Sequence, residues 1–277
     1  MGTIFNERVI EDFMLMCKKG VDQGWHERNG GNLSYRMTKD DVEYCARFFK
    51  KHPGEWVEMP VSANNLKGEF FIVTGSGKFL ENVNTEPQNN IAIVEINQTG
   101  NSYRIVWGLD QGGKPTSEFP THFLTHSARK MATDGDNRVI YHAHTPYVVA
   151  LTNVLPLESE LFTRMLWKSA TECCLFCPGG VGVVPWMVPG STEIAECTSD
   201  LLSKYDAAIW AFHGAFVTGK DFDSAFGLMQ TIEKSAMVAT ITLAANAGKM
   251  PNQTITDDQL REMAKAYNIR LNEDFLK

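Results

Sequence analysis

The sequence predicts an α/β fold, a single domain over residues 1–277 with a central mixed, largely antiparallel sheet covered by helices. Three observations predict it. Apolar, β-branched runs bounded by Gly, Asn or Ser are interspersed with segments whose apolar residues recur at helical spacing. One pair of such runs flanks a short turn, which requires antiparallel neighbours. The chain shows no internal repeat, low-complexity tract or linker that would divide it.

Residues 4–21 set Phe5, Val9, Phe13, Met16 and Cys17 on one helical face, and Gly24 is a stop signal. Asn29-Gly-Gly-Asn-Leu-Ser-Tyr-Arg36 is a glycine turn entering a short strand, and residues 38–68 are polar and irregular, with a helix over 40–50. Phe70-Phe-Ile-Val-Thr-Gly75 is a strand stopped by Gly75-Ser-Gly77. Residues 91–97 and 101–107 form the hairpin around Gln98-Thr-Gly100. A helix begins near Ser117 and runs through Lys130, the run ending at His142 is a strand, and helices occupy 157–175. Val181-Gly-Val-Val184 is a short strand, 192–204 a helix, and the run ending at His213 another strand. Helices over 221–247 and 255–267 complete the chain.

At 277 residues, 43% of them apolar and 21% charged, the chain has the composition of a soluble globular protein. The balance of 26 basic against 33 acidic residues gives −7, without the basic stripe that nucleic-acid binding needs. A local donor cluster can still hold an anionic small molecule. No window approaches the roughly 18 apolar residues of a membrane span, and the first residues lack a signal core. Met1-Gly2 opens like a myristoylation site, but Asn6 stands where Ser or Thr is expected. The expectation is an unmodified cytoplasmic protein. Cys174-Leu-Phe-Cys177 has no second CxxC to complete a thiolate site, so the six cysteines are expected to be reduced packing residues.

The chemistry lies in the histidines. In Val139-Ile-Tyr-His-Ala-His-Thr-Pro146, His142 and His144 are two apart at the end of an apolar run. Side chains two apart on a strand share a face, so both imidazoles can meet one metal ion. His213 ends a similar run, Ala207-Ala-Ile-Trp-Ala-Phe-His-Gly214, and is a candidate third ligand. Three imidazoles leave a zinc ion one open position, as catalysis requires. His122 and His126, four apart on a predicted helix, are a competing metal pair, or caps or surface residues. His26 and His52 are expected at the surface. Glu118 has two readings: a first-turn carboxylate behind a Ser117 cap, or an acid/base beside a metal. In the second, Thr116 and Ser117 with free backbone N–H groups hold an anion at the helix start. Asn29-Gly-Gly-Asn32 and Thr74-Gly-Ser-Gly77 are plain turns or amide-rich phosphate loops.

In this order, Asn29-Gly-Gly-Asn-Leu-Ser, Thr74-Gly-Ser-Gly, Thr116-Ser-Glu, His142-Ala-His-Thr and His213-Gly resemble the class II aldolase/adducin family along nearly the whole chain. The resemblance implies a zinc enzyme that cleaves a ketose phosphate by a retro-aldol step. It implies His142, His144 and His213 as zinc ligands, Glu118 as the catalytic carboxylate, and Glu172 as a second carboxylate supplied by a neighbouring subunit. It places Asn29, Asn32, Ser76, Thr116 and Ser117 in the phosphate-receiving loops, and implies a homotetramer with sites at subunit interfaces. Another sugar-phosphate aldolase of the family, acting on L-fuculose 1-phosphate, or a 4-epimerase of L-ribulose 5-phosphate running the same bond cleavage, is the alternative enzyme. The alternative outside catalysis is a metal-free, adducin-like binding module, against which the intact histidine trio and Glu118 speak.

Overall fold

The computed structural model describes residues 3–277, so the Met1-Gly2 opening lies outside the described residues. After a 3-10 turn at Ile4–Asn6, α1 (Arg8–Asp22) ends where Gly24, at φ +73°, turns the chain. The strand β1 (Asn32–Arg36) follows, then α2 (Lys39–Ala46), opened by the reciprocal Thr38–Asp41 capping box, and the two-residue β2 (Val57–Glu58). The strand β3 (Phe70–Thr74), the one-turn α3 (Pro87–Asn90) and the hairpin of β4 (Ile91–Ile96) and β5 (Ser102–Gly108) complete the first half.

The second half begins with α4 (Phe119–Ala132) and β6 (Val139–Ala143). Three helices follow, α5 (Pro146–Thr152), α6 (Ser159–Ser169) and α7 (Thr171–Phe176), then β7 (Gly182–Val184) and α8 (Thr192–Leu202). The tight pair β8 (Ala207–Trp210) and β9 (Gly214–Gly219) leads into the long α9 (Phe222–Ala245), and α10 (Asp257–Ala266) packs near the C-terminus.

Among the described residues nine strands form one sheet in the order β2-β5-β4-β3-β1-β6-β9-β8-β7. Its pairings are antiparallel except β7 with β8, as the mixed, largely antiparallel expectation holds. Helices cover both faces. Leu33, Tyr35, Val139 and Tyr141 pack with Ile10, Phe13 and Cys17 of α1 and with Ala225, Met229 and Ile232 of α9. On the other face Phe71, Val73 and Val94 meet Phe119 and Phe123 of α4, while Ile140, Trp210 and Phe216 meet Ile194 and Leu202 of α8. The alternation along β6 therefore sends Val139, Tyr141 and Ala143 one way and Ile140 and His142 the other.

Besides the short β2 and α3, two elements escape the sequence prediction for physical reasons. The segment 146–152 is helical because Pro146 occupies the first helical position, where its missing N–H removes no hydrogen bond. Strand β9 was not expected, because the apolar run before it is broken by a turn at Phe212, whose φ is +60°. All six cysteines are free, five of them buried, as packing residues would be. Among the described residues no helix is long and apolar enough to cross a membrane.

Candidate metal centre and acid–base site

The sheet gathers the candidate residues at one end. Asn32 begins β1 and lies directly opposite His142 near the end of β6, while Phe216 of β9 flanks His142 on its other side. Cross-strand partners share a face, so Asn32, His142 and Phe216 project together. His144 lies one residue beyond β6, its N–H bonded to the Trp25 carbonyl at 3.1 Å, rather than on the strand itself. His213 sits in the turn between β8 and β9, not at the end of a strand. That turn is anchored by the Phe212 N–H donating to Thr152 Oγ1 at 3.0 Å. Gly214 is needed there, since a Cβ would stand 2.2 Å from the Ala143 carbonyl oxygen.

The three histidines converge. One nitrogen from each of His142, His144 and His213 lies within 4.8 Å of the others, and the Nε2 atoms of His144 and His213 are 3.0 Å apart. Nitrogens around a tetrahedral zinc stand about 3.4 Å from one another, within this spread. His142 Nδ1 donates to the Ala215 carbonyl at 3.0 Å, which leaves a bare Nε2 pointing into the group. That Nε2 is buried without a hydrogen-bond partner. His144 Nδ1 bonds Glu27 Oε1 at 2.6 Å, freeing its Nε2 likewise. These outward partners fix ring and tautomer as they do in metal sites. Burial, then the neighbouring imidazoles, push the His142 pKa well below the usual histidine range; the same causes bring His213 to about 4. Neutral imidazoles with converging lone pairs fit a divalent cation.

Glu118 completes the group. It stands immediately before α4, buried, with Oε2 3.6 Å from His142 Nε2. Because His142 is neutral, this approach is not an ion pair. Burial raises the Glu118 pKa, opposed by the 2.8 Å hydrogen bond from Asn32 Nδ2 and by His144. Ser117 does not cap the helix; it is exposed, and Glu118 itself holds the cap position. Most of the amides there are already bonded: Thr116 N–H donates to the Thr74 carbonyl, Glu118 N–H to Thr116 Oγ1 and Phe119 N–H to the Thr116 carbonyl, and Pro120 has none.

The glycine loops meet at the same end. Ser76 N–H donates to the Lys114 carbonyl and Thr116 N–H to that of Thr74, tying the 74–77 loop to the 114–118 segment. Asn29 and Ser117 are exposed and Ser76 half-buried, whereas Thr116 is buried. Asn32 is buried too, its amide turned inward to Glu118 and to His122 Nε2. Gly31, at φ +71°, brings the loop against His26 and the His142 carbonyl. Glu172 is exposed on α7 beside Gln230 and Lys234 of α9; it forms no hydrogen bond or ion pair to the histidines or Glu118.

Four side chains lie elsewhere than their local sequence predicts, or escape it. His26, expected at the surface, is half-buried, bonding the Gly30 carbonyl oxygen at 3.0 Å and the Tyr141 hydroxyl at 2.6 Å. His122 and His126 are not a second metal pair, cap or surface residues: both are fully buried and bonded to Ser34 Oγ. Glu27 was not singled out; it lies 117 residues from its partner His144, and only the fold joins them.

The chain is similar to known proteins along nearly its whole length. The profile of the family described as "Class II Aldolase and Adducin N-terminal domain" matches residues 11–240. The chain is 42% identical over 270 residues, 98% of it and 96% of the relative, to the rhamnulose-1-phosphate aldolase of Klebsiella pneumoniae subsp. pneumoniae. It is 42% identical to the enzyme of the same name from Yersinia pseudotuberculosis, covering 97% of each. Among solved structures, the sugar-phosphate aldolase from Thermotoga maritima superposes with a TM-score of 0.73 at 26% identity, over 88% of this chain and 98% of that one.

Proposed function

Because the chain belongs to the class II aldolase and adducin family, we propose that it cleaves L-rhamnulose 1-phosphate reversibly to dihydroxyacetone phosphate and L-lactaldehyde. It is an aldolase, a carbon–carbon lyase; the substrate follows from the names of relatives that match it end to end. The observation that carries the chemistry is the unpartnered His142 Nε2, buried beside Glu118 within a convergent histidine trio.

His142, His144 and His213 would hold the ion, and zinc suits three neutral nitrogen donors with one open position. Bound there, it supplies Lewis-acid polarisation of the ketose carbonyl and stabilises the negative charge released by cleavage. Transfer of the C4 hydroxyl proton to a carboxylate at the aldehyde end breaks the C3–C4 bond and makes C4 the aldehyde carbon. The electron pair remains on the C3 side, where Glu118 returns a proton. Burial raises the pKa of that carboxyl group, so it keeps its proton to higher pH than an exposed one.

Asn29, Ser76 and Ser117 offer outward donors for the phosphate, with Thr116 shaping the loop behind them. Asn32 lies in the same loop but acts on Glu118. Glu172, exposed on α7, is assigned to the site of a neighbouring subunit in a homotetramer, where it serves the aldehyde half. Cytoplasmic sugar-phosphate catabolism is the setting this substrate implies.

The test is release of dihydroxyacetone phosphate from L-rhamnulose 1-phosphate and from L-fuculose 1-phosphate, with epimerisation of L-ribulose 5-phosphate followed beside them, by zinc-loaded protein. Fastest release from L-rhamnulose 1-phosphate is expected. A preference for L-fuculose 1-phosphate, or return of an intact epimerised pentulose phosphate, overturns the substrate assignment.

A further inference from the structure

Resting on the reading of Glu118 as the acid–base group, we propose that His122 is a positioning residue. Backed by Ser34 and His126, it holds the Asn32 amide in the orientation that aims Glu118 at the three-histidine group.

The arrangement is a zipper between a helix and a strand. Glu118, His122 and His126 recur every four residues along the start of α4, a rise of about 6 Å per step. Asn32 and Ser34 recur every two residues on one face of β1, about 6.6 Å per step. The two periods match, so the side chains interleave. Asn32 bonds Glu118 and His122, and Ser34 bonds His122 and His126.

The donors follow one direction throughout. Asn32 Nδ2 donates to Glu118 Oε2, the oxygen that lies 3.6 Å from His142 Nε2. The amide oxygen of Asn32 must then accept, and its partner is His122 Nε2. Ser34 donates to His122 Nδ1 at 2.7 Å, which keeps that nitrogen bare and the ring proton on Nε2. Ser34 Oγ in turn accepts from His126 Nε2 at 2.8 Å. Without His122, the Asn32 amide could rotate by half a turn and set its carbonyl oxygen against the carboxylate. Glu118 Oε2 would then lose both its hydrogen bond and its distance from the histidine group.

Two features separate this from a proton route and from plain core packing. His126 Nδ1 is buried without a partner, so the chain ends inside the protein and delivers no proton to solvent. Two imidazoles, a hydroxyl and an amide are sealed between α4 and the sheet, where apolar side chains would fill the space without polar desolvation. The group to which all four connect is Glu118.

The experiment compares His122→Phe, which keeps a flat ring but no donor, with His122→Gln, whose amide nitrogen stands near the position of Nε2. Readouts are bound zinc, kcat, KM, and exchange of a C3 hydrogen of dihydroxyacetone phosphate with solvent, the step assigned to Glu118. His122→Phe should lower kcat and the exchange rate together by about 10- to 100-fold, the cost of a displaced catalytic group. Zinc should stay bound and KM remain within about threefold, while His122→Gln restores most of the rate. Full activity of His122→Phe, or an equal loss in both variants, overturns the proposal. If His122→Phe does not fold, Ser34→Ala should give the same pattern at about tenfold, and unchanged kcat there overturns the proposal equally. Wild-type protein that releases no dihydroxyacetone phosphate defeats the functional reading itself. An active wild type, an inactive Glu118→Gln and a normal His122→Phe defeat the positioning role alone.

Discussion

Two groups of histidines share one face of the sheet, separated by the Phe216 ring, and they do opposite things. His142 stacks on Phe216 at 4.3 Å between centroids, and His122 meets the same ring edge-on at 5.5 Å. In the open group, the Nδ1 atoms of His142 and His144 are bonded away, leaving Nε2 lone pairs that converge with His213. In the sealed pair, three of four ring nitrogens are already spent on Asn32 and Ser34. Residue type and spacing do not distinguish a ligand from a structural histidine. Where the second nitrogen goes, and whether the first meets others, does.

That contrast is broken most severely by removing the ion. Chelator-treated protein, or His144→Ala, should lose activity by about 1,000-fold or more, with added zinc restoring the former. Zinc content measured alongside activity decides it. A chelated, zinc-free protein with normal turnover would end the metal assignment, and a zinc-replete, active His144→Ala would return attention to the sealed pair. The next effect belongs to Glu118→Gln, expected to keep zinc and fold while losing at least about 100-fold in kcat. Retained turnover would leave the carboxylate no catalytic role.

Much of the open group could be read from the chain. The two-residue step from His142 to His144 and the glycine after His213 marked it, although neither His144 nor His213 proved to lie on a strand. The sheet was legible where β-branched runs are bounded by turns. It was lost at β9, where a positive φ at Phe212 breaks the pattern, and at α5, where Pro146 looks like a turn but opens a helix. The sealed pair shows the limit best. Four-residue spacing correctly put His122 and His126 on one helical face, but Ser34, 88 residues earlier than His122, determines what that face does. Nothing local to Ser34 marks it, because its role exists only once β1 lies under α4.

Glu27 sharpens the comparison at smaller amplitude. Its carboxylate accepts from His144 Nδ1, and burial is outweighed by that bond and by neighbouring histidines in holding its pKa below the usual carboxylate range. Glu27→Gln keeps the shape and a polar end but removes the charge that raises ligand basicity. Zinc affinity should fall by about 10- to 100-fold, read by competition with a chromophoric chelator, while kcat at saturating zinc changes little. An unchanged affinity would make the contact incidental.

The mildest prediction concerns acid. Burial lowers the His122 pKa from 6.5 to about 3, so the folded protein keeps this ring neutral while the unfolded chain protonates it below 6.5. The folded state then binds fewer protons, and stability is full above pH 6.5 and declines as pH falls toward 3. Between pH 6.5 and 5 the loss from this one ring is about 2 kcal/mol. His122→Gln cannot protonate but keeps the donor to Asn32, so it should remove that share of the decline. Urea midpoints of metal-free protein at pH 7 and pH 5 make the measurement, since bound zinc would add its own proton dependence through the open group. If the variant and the wild type lose stability in parallel, His122 is not held neutral in the fold, and the sealed pair is less sealed than its hydrogen bonds require.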